Sequence, residues 1–174
     1  MPFTAIAFID ASLPDLKTLL ANIRQHAEIH LLDSNANGLM QIAEHLCDRK
    51  DINALHLIGH GAPGQLFLGN STVDRENLQK SRAELEAIAN AMVEDGELLI
   101  YGCEVAAGRE GRQFIGALTE MTGLKVAAAT HKVGAAEQGG DWSLDVMPAM
   151  KSATLQVPAW QGVLDPTPPD DGVY

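Results

Sequence analysis

Basic residues are scarce. Twelve Lys and Arg stand against 23 Asp and Glu in a chain of 174 residues, a formal net charge of −11. Nucleic acid and anionic membrane surfaces are bound through basic patches, so neither is expected as a partner. Cysteine is scarcer still. Cys47 and Cys103 are the only two, too few for a disulfide scaffold. No apolar stretch approaches the ~18 residues of a membrane span, so no membrane insertion is expected. The opening MPFTAIAFID has no basic region and soon turns acidic, unlike a secretory signal peptide. No G-x-S-x-G occurs, which disfavours a serine hydrolase of the nucleophile-elbow type. His26, His30 and His45 lack metal-ligand spacing with other side chains. No metal and no cofactor is expected.

What the chain has is apolar residues, 46% of the total, enough for one globular domain with a full core. They come in blocks. Phe3 to Ile9, Glu28 to Leu32, Ala54 to Gly59, Glu97 to Gly102 and Leu124 to Ala129 read as buried strands. Between them the spacing is helical: Leu16, Leu19, Leu20 and Ile23 after Pro14; Leu39, Ile42, Ala43 and Leu46 after Asn37-Gly38; a long helix from Arg75 to Val93; and a helix from Gly111 to Met121. Gln65 to Leu68 is a short extended piece with Gly69-Asn70 as its turn. Trp142 to Val146 and Thr154 to Val157 read as short strands, a hairpin or edge addition. This alternation predicts an α/β fold, a three-layer sandwich around a mainly parallel sheet, with a small C-terminal strand addition. The domain is expected over residues 1–163. Residues 164–174, rich in Pro and Asp, have the composition of a solvated linker leading to further domains of a larger chain.

The third strand runs into Gly59-His60-Gly61-Ala62-Pro63-Gly64, formally the G-x-G-x-x-G of dinucleotide sites. That fingerprint requires a helix to begin within it, because the helix N-terminus holds the pyrophosphate. Here Gln65 to Gly69 alternates like a strand, so a nucleotide site is disfavoured. The other reading is catalytic. His60 stands where a parallel strand ends, the place where open α/β sheets put their ligands. The fourth strand ends in the same way at Gly102-Cys103. If the two strands are neighbours, an imidazole and a thiol project from one sheet edge, as thiol catalysis requires. The backbone N–H groups of Gly61 and Cys103 would form an oxyanion hole. Small residues (Gly102, Ala106, Ala107, Gly108) leave room around the thiol. On this reading iodoacetamide reaches Cys103 before Cys47, which lies on the apolar side of a helix as a core residue. Gly61→Val is expected to harm activity more than folding. The structural alternative is a buried cysteine and a loop-capping histidine.

An apolar block followed by His-Gly, and a second followed by a small residue and Cys, resembles the caspase-like cysteine peptidases. Over "AFIDASLPDLKTLL", "LLDSNANGLMQIAEHL", "ALHLIGHGAPGQLFLGN", "LLIYGCEVAAG" and "GGDWSLDV" the chain is similar to DUF4347, a domain of very large bacterial surface and exported proteins. The resemblance implies the strand order 2-1-3-4, His60 as general base and Cys103 as nucleophile. It implies a cysteine endopeptidase, self-processing within a large exported or surface protein, whose partner is a peptide segment of its own polypeptide. A catalytically silent adhesion or assembly module and a thiol acyl-transfer enzyme on the same dyad are the alternatives.

Three further residues are candidates for a substrate pocket. Asp33 and Asp10 end the second and first strands, although Asp33 before Ser34-Asn35 also suits a simple turn. His131 follows the fifth strand and either borders the cleft or lies on a surface loop. Asp141-Trp142 suits a tight turn with a core tryptophan, and His56, in mid-strand, is structural.

Overall fold

A computed structural model describes residues 3–165. Of the solvated linker expected over residues 164–174, Leu164 instead lies buried in the core because it packs under the sheet edge, and the stretch from Pro166 onward lies outside the described residues. Five parallel strands form the central sheet: β1 (Ala5–Asp10), β2 (Glu28–Leu32), β3 (Ile52–Ile58), β7 (Met92–Tyr101) and β8 (Lys125–Ala127), in the spatial order β2-β1-β3-β7-β8. The order 2-1-3-4 expected for the first four strands is therefore present, with the fifth added outside. A second, antiparallel sheet is inserted after β3 and consists of β4 (His60–Ala62), β5 (Gln65–Leu68) and β6 (Ser71–Asp74).

The strands of the central sheet are apolar without alternation because both faces are covered. Along β1, five of six residues are buried. Helices α2 (Gly38–Leu46), α4 (Arg82–Ala91) and α5 (Gly108–Thr122) cover one face, where Ile42, Leu46, Leu85, Ile88, Phe114 and Leu118 form a continuous core with alternate strand residues. The other face is covered by α1 (Leu16–Ile23) and by the irregular chain from Trp142 to Leu164, whose Trp142, Leu155, Trp160 and Leu164 are all buried. These are the three layers.

Local chemistry sets the helix boundaries. Asn37 caps α2, its side-chain oxygen accepting the Met40 N–H at 3.0 Å, and Asp74 caps α3 (Arg75–Lys80) by accepting the Asn77 N–H at 2.8 Å. The single helix expected from Arg75 to Val93 is two. It breaks at Ser81, whose φ of −107° and ψ of 23° leave the helical region. The break lets α3 lie toward β6 and α5 while α4 turns toward α2. The C-terminal strands differ as well. Only Val146 pairs with Ala128 and Val163 with Gly134, each in an isolated antiparallel bridge, and Thr154 to Val157 is not a strand. Pro148 and Pro158 have no N–H to give a ladder. Side chains hold this segment instead. The Glu97 carboxylate accepts the N–H groups of Lys151 at 2.6 Å and Ser152 at 2.9 Å, and the Tyr101 hydroxyl accepts the Leu155 N–H at 2.9 Å.

Candidate functional site

Ile58 of β3 pairs with Tyr101 of β7 at the carboxyl end of the sheet. His60 and Cys103 each follow two residues later, so the equal offset carries both to the same edge, at the crevice between neighbouring parallel strands. His60 opens β4 and is nearly buried, and Cys103 is completely buried. No hydrogen bond joins the thiol to the imidazole. A peptide lies between them, and it is the chain's own C-terminal segment.

The contacts to that segment are specific. The N–H groups of Gly61 and Cys103 both donate to the carbonyl oxygen of Leu164, each at 2.9 Å. His60 Nδ1 donates to the carbonyl oxygen of Asp165 at 2.6 Å. A carbonyl only accepts, so this bond places a proton on Nδ1. Upstream, the segment runs antiparallel to Val133–Ala135. Leu164 N–H donates to Val133 O at 2.8 Å and Ala135 N–H donates to Gly162 O at 2.8 Å, with Gly134 and Val163 bridged between them. The indole N–H of Trp160 donates to Pro14 O at 2.7 Å and pins the start of the segment.

The thiol faces Val133. Its Sγ accepts the Val133 N–H at 3.2 Å, and the Val133 carbonyl lies 3.6 Å away. Burial pushes the Cys103 pKa up to about 11, against the lowering effect of the Val133 N–H, and the charges of Asp165 and Glu104 add to the rise. The thiol in this closed state is therefore protonated at neutral pH. Directly after it, Glu104 adopts a left-handed backbone with φ of 60°, a conformation that costs a non-glycine residue about 1–2 kcal/mol. The turn is held by the Glu104 N–H donating to His131 O and the Ala107 N–H donating to Glu104 O, each at 2.9 Å.

The glycines have a packing role that the sequence reading did not assign. A Cβ at Gly61 would stand 2.6 Å from Val105 Cγ2 and 2.9 Å from the Gly102 carbonyl carbon, and one at Gly59 would stand 2.6 Å from Phe67 O. Gly61→Val thus strikes the fold itself, contrary to the expectation of a mainly catalytic effect. The room expected around the thiol is filled.

Cys47 also corrects the sequence reading. It follows the last residue of α2, one position beyond Leu46 of the buried stripe, and is exposed. Iodoacetamide is accordingly expected to alkylate Cys47 well before Cys103 in the native chain, with the order read by peptide mass spectrometry. Equal rates would mean that the C-terminal segment leaves the site readily.

The hydrogen bonds of the three pocket candidates go to groups other than the Leu164–Asp165 segment. Asp10 is buried and ties β1 to the β5–β6 turn, its Oδ1 accepting the Ser12 N–H at 2.9 Å and its Oδ2 the Gly69 N–H at 2.8 Å. Asp33 is exposed and accepts the Asn35 N–H at 2.8 Å, a local turn. It lies beyond β2, two strands from β3. The His131 ring faces Ser143, Asp141 and Asp145, so only its backbone supports the site. Among the described residues, no group of three or more His, Cys, Asp or Glu side chains is arranged to hold a metal ion. The residues that sequence reasoning did not assign to the site are Val133 and Leu164. Leu164 had one visible signal, as the last apolar residue before the Pro/Asp stretch.

Residues 6–164 match the sequence profile of a domain of unknown function, DUF4347, and the chain belongs to that family. No curated protein matches it. Among solved structures, a diflavin flavoprotein A3 from Nostoc sp. is similar at 12% identity over 75% of this chain and 79% of that one, with a TM-score of 0.37.

Proposed function

We propose that this member of the DUF4347 family is a cysteine peptidase, with Cys103 as nucleophile and His60 as the proton-transferring base, acting on a peptide segment of its own polypeptide within a larger exported or surface protein. The observation that carries this reading is the convergence of two backbone donors, Gly61 N–H and Cys103 N–H, on a single carbonyl oxygen at 2.9 Å each. Two N–H groups beside a thiol are what an acyl-transfer site needs, since the negative charge of a tetrahedral intermediate develops on that oxygen. Removing one such donor typically costs about 100- to 1,000-fold in rate.

A catalytically silent assembly module is the second reading. The complete burial of Cys103 and its bond to Val133 favour it. The two separate on a covalent probe that only an activated thiol attacks, a peptidyl acyloxymethyl ketone. Labelling is measured on the full chain and on Leu164→Gly, in which the covering segment loses its buried anchor. The peptidase reading expects capture of Cys103 and not of Cys47, lost in His60→Ala. Absence of capture from both chains would establish the silent module. The double variant His60→Ala/Cys103→Ala should be no worse than either single one in any turnover assay, because the pair acts as a unit.

A further inference from the structure

Resting on that peptidase reading, the geometry points to a self-cleavage site at one bond: Leu164–Asp165 is the scissile peptide, and the site selects a buried apolar side chain on the acyl side of the bond it cuts. The carbonyl in the oxyanion position is that of Leu164 and no other, held at 2.9 Å by both donors. The carbonyl of the following residue, Asp165, is gripped by His60 Nδ1 at 2.6 Å. The backbone N–H of Cys103 and the ring of His60 thus bracket one peptide bond, with the imidazole on the leaving-group side. Upstream, residues 162–164 pair antiparallel with 133–135, the way an extended peptide adds to an exposed backbone edge. The Leu164 side chain is fully buried, in the same core cluster as Ile9, Ile58, Tyr101, Cys103 and Val133. Downstream of Asp165 the sequence becomes PTPPDDGVY, and the family match ends at residue 164.

The reaction balances with water as the only co-reactant. The Cys103 thiol gives its proton to His60 Nε2, the ring nitrogen that carries none while Nδ1 holds Asp165 O, and Sγ bonds to the Leu164 carbonyl carbon, whose oxygen takes the negative charge between the N–H groups of Gly61 and Cys103. The carbon–nitrogen bond to Asp165 breaks, and the nitrogen receives the proton from His60. A water molecule then hydrolyses the thioester, leaving a Leu164 carboxylate, a regenerated thiol and one proton released to solvent. Attack requires that Cys103 first be released from its bond to Val133.

The test is the intact mass of the full chain, incubated with and without calcium, as wild type, Cys103→Ala, Leu164→Met and Leu164→Lys, with circular dichroism to establish folding of each. The expected result is loss of the ten-residue peptide Asp165–Tyr174, absent from Cys103→Ala. Leu164→Met should retain the cut, and Leu164→Lys should slow it by about 100-fold or more, a discrimination typical of an apolar pocket refusing a wrong group. A Cys103-dependent cut elsewhere would overturn the bond assignment and leave the peptidase reading standing. So would an intact chain whose Cys103 is captured by the ketone probe. A cut after Leu164 that persists in Cys103→Ala would overturn both. A fragment ending at Asp165 in every variant is acid scission of the Asp165–Pro166 bond and counts as no cleavage. If Leu164→Lys fails to fold, the retained cut in Leu164→Met against a lost one in Leu164→Gly decides the apolar preference.

Discussion

Trp160→Ala is expected to lower the unfolding free energy by about 3–5 kcal/mol, the range for removing a large aromatic side chain from a closed core. Trp160 is completely buried and is the largest such side chain among the described residues. Its ring lies 6.0 Å from that of Trp142, which in turn lies 5.8 Å from that of Tyr101. Truncation leaves a cavity between α1 and the sheet, and Pro14 O loses its 2.7 Å donor. The ring is closely fitted, since a Cβ on Gly162 would stand 2.4 Å from it. Urea denaturation measures the loss. Trp160 also anchors the segment that ends at Leu164 and Asp165, so the same variant should expose Cys103 to iodoacetamide under native conditions. A loss below about 1 kcal/mol, the size of an average substitution, would show that the C-terminal segment is not part of the cooperative core.

Acid is expected to remove about 3 kcal/mol of stability between pH 6.5 and pH 4, before most carboxylates titrate. The group responsible is His56. It is buried in mid-strand, with Nδ1 3.1 Å from the Tyr101 hydroxyl. That hydroxyl also accepts the Leu155 N–H, so the imidazole and the phenol share one buried hydrogen bond with no charged group in it. Burial lowers its pKa from 6.5 to about 4, Glu97 opposes the shift and His26 adds to it. Below pH 6.5 the unfolded chain binds a proton that the folded chain refuses until about pH 4, so stability falls with falling pH across that window. Glu97 extends the loss further down. Its burial is outweighed by the donors of Ser152 and Lys151, which hold its carboxyl below the usual value of 4.5. His56→Gln keeps an acceptor for Tyr101 and cannot titrate. Stability curves measured at pH 7, 6, 5 and 4 should be steep for the wild type and nearly level for this variant down to about pH 5. A steep curve in both would move the cause elsewhere.

Much of the molecule is legible along the chain because its causes are local. Apolar runs separated by amphipathic stretches determine a parallel sheet with covered faces, since each run must bury both sides and each helix one stripe. The strand after Pro63-Gly64 removes the nucleotide reading without any coordinates. His60 and Cys103 follow neighbouring apolar runs at the same offset, and that register alone brings them to one edge.

Other features depend on which distant segment lies against which. Burial is one. Cys47 and Cys103 both sit beside apolar residues in sequence, yet one is exposed and the other has no accessible surface. The difference arises because Cys47 stands one residue, about 100°, around the helix from Leu46 and so falls outside the buried stripe, while the chain from Trp160 to Asp165 closes over Cys103. The helix break at Ser81 is another, decided by the different neighbours of α3 and α4. The occupant of the site is the third. Asp165 meets His60 across 105 residues of sequence, and no periodicity or spacing encodes such a contact. Only the packing of Trp160 under α1, and the antiparallel run along Val133–Ala135, brings Leu164 to the two waiting N–H groups.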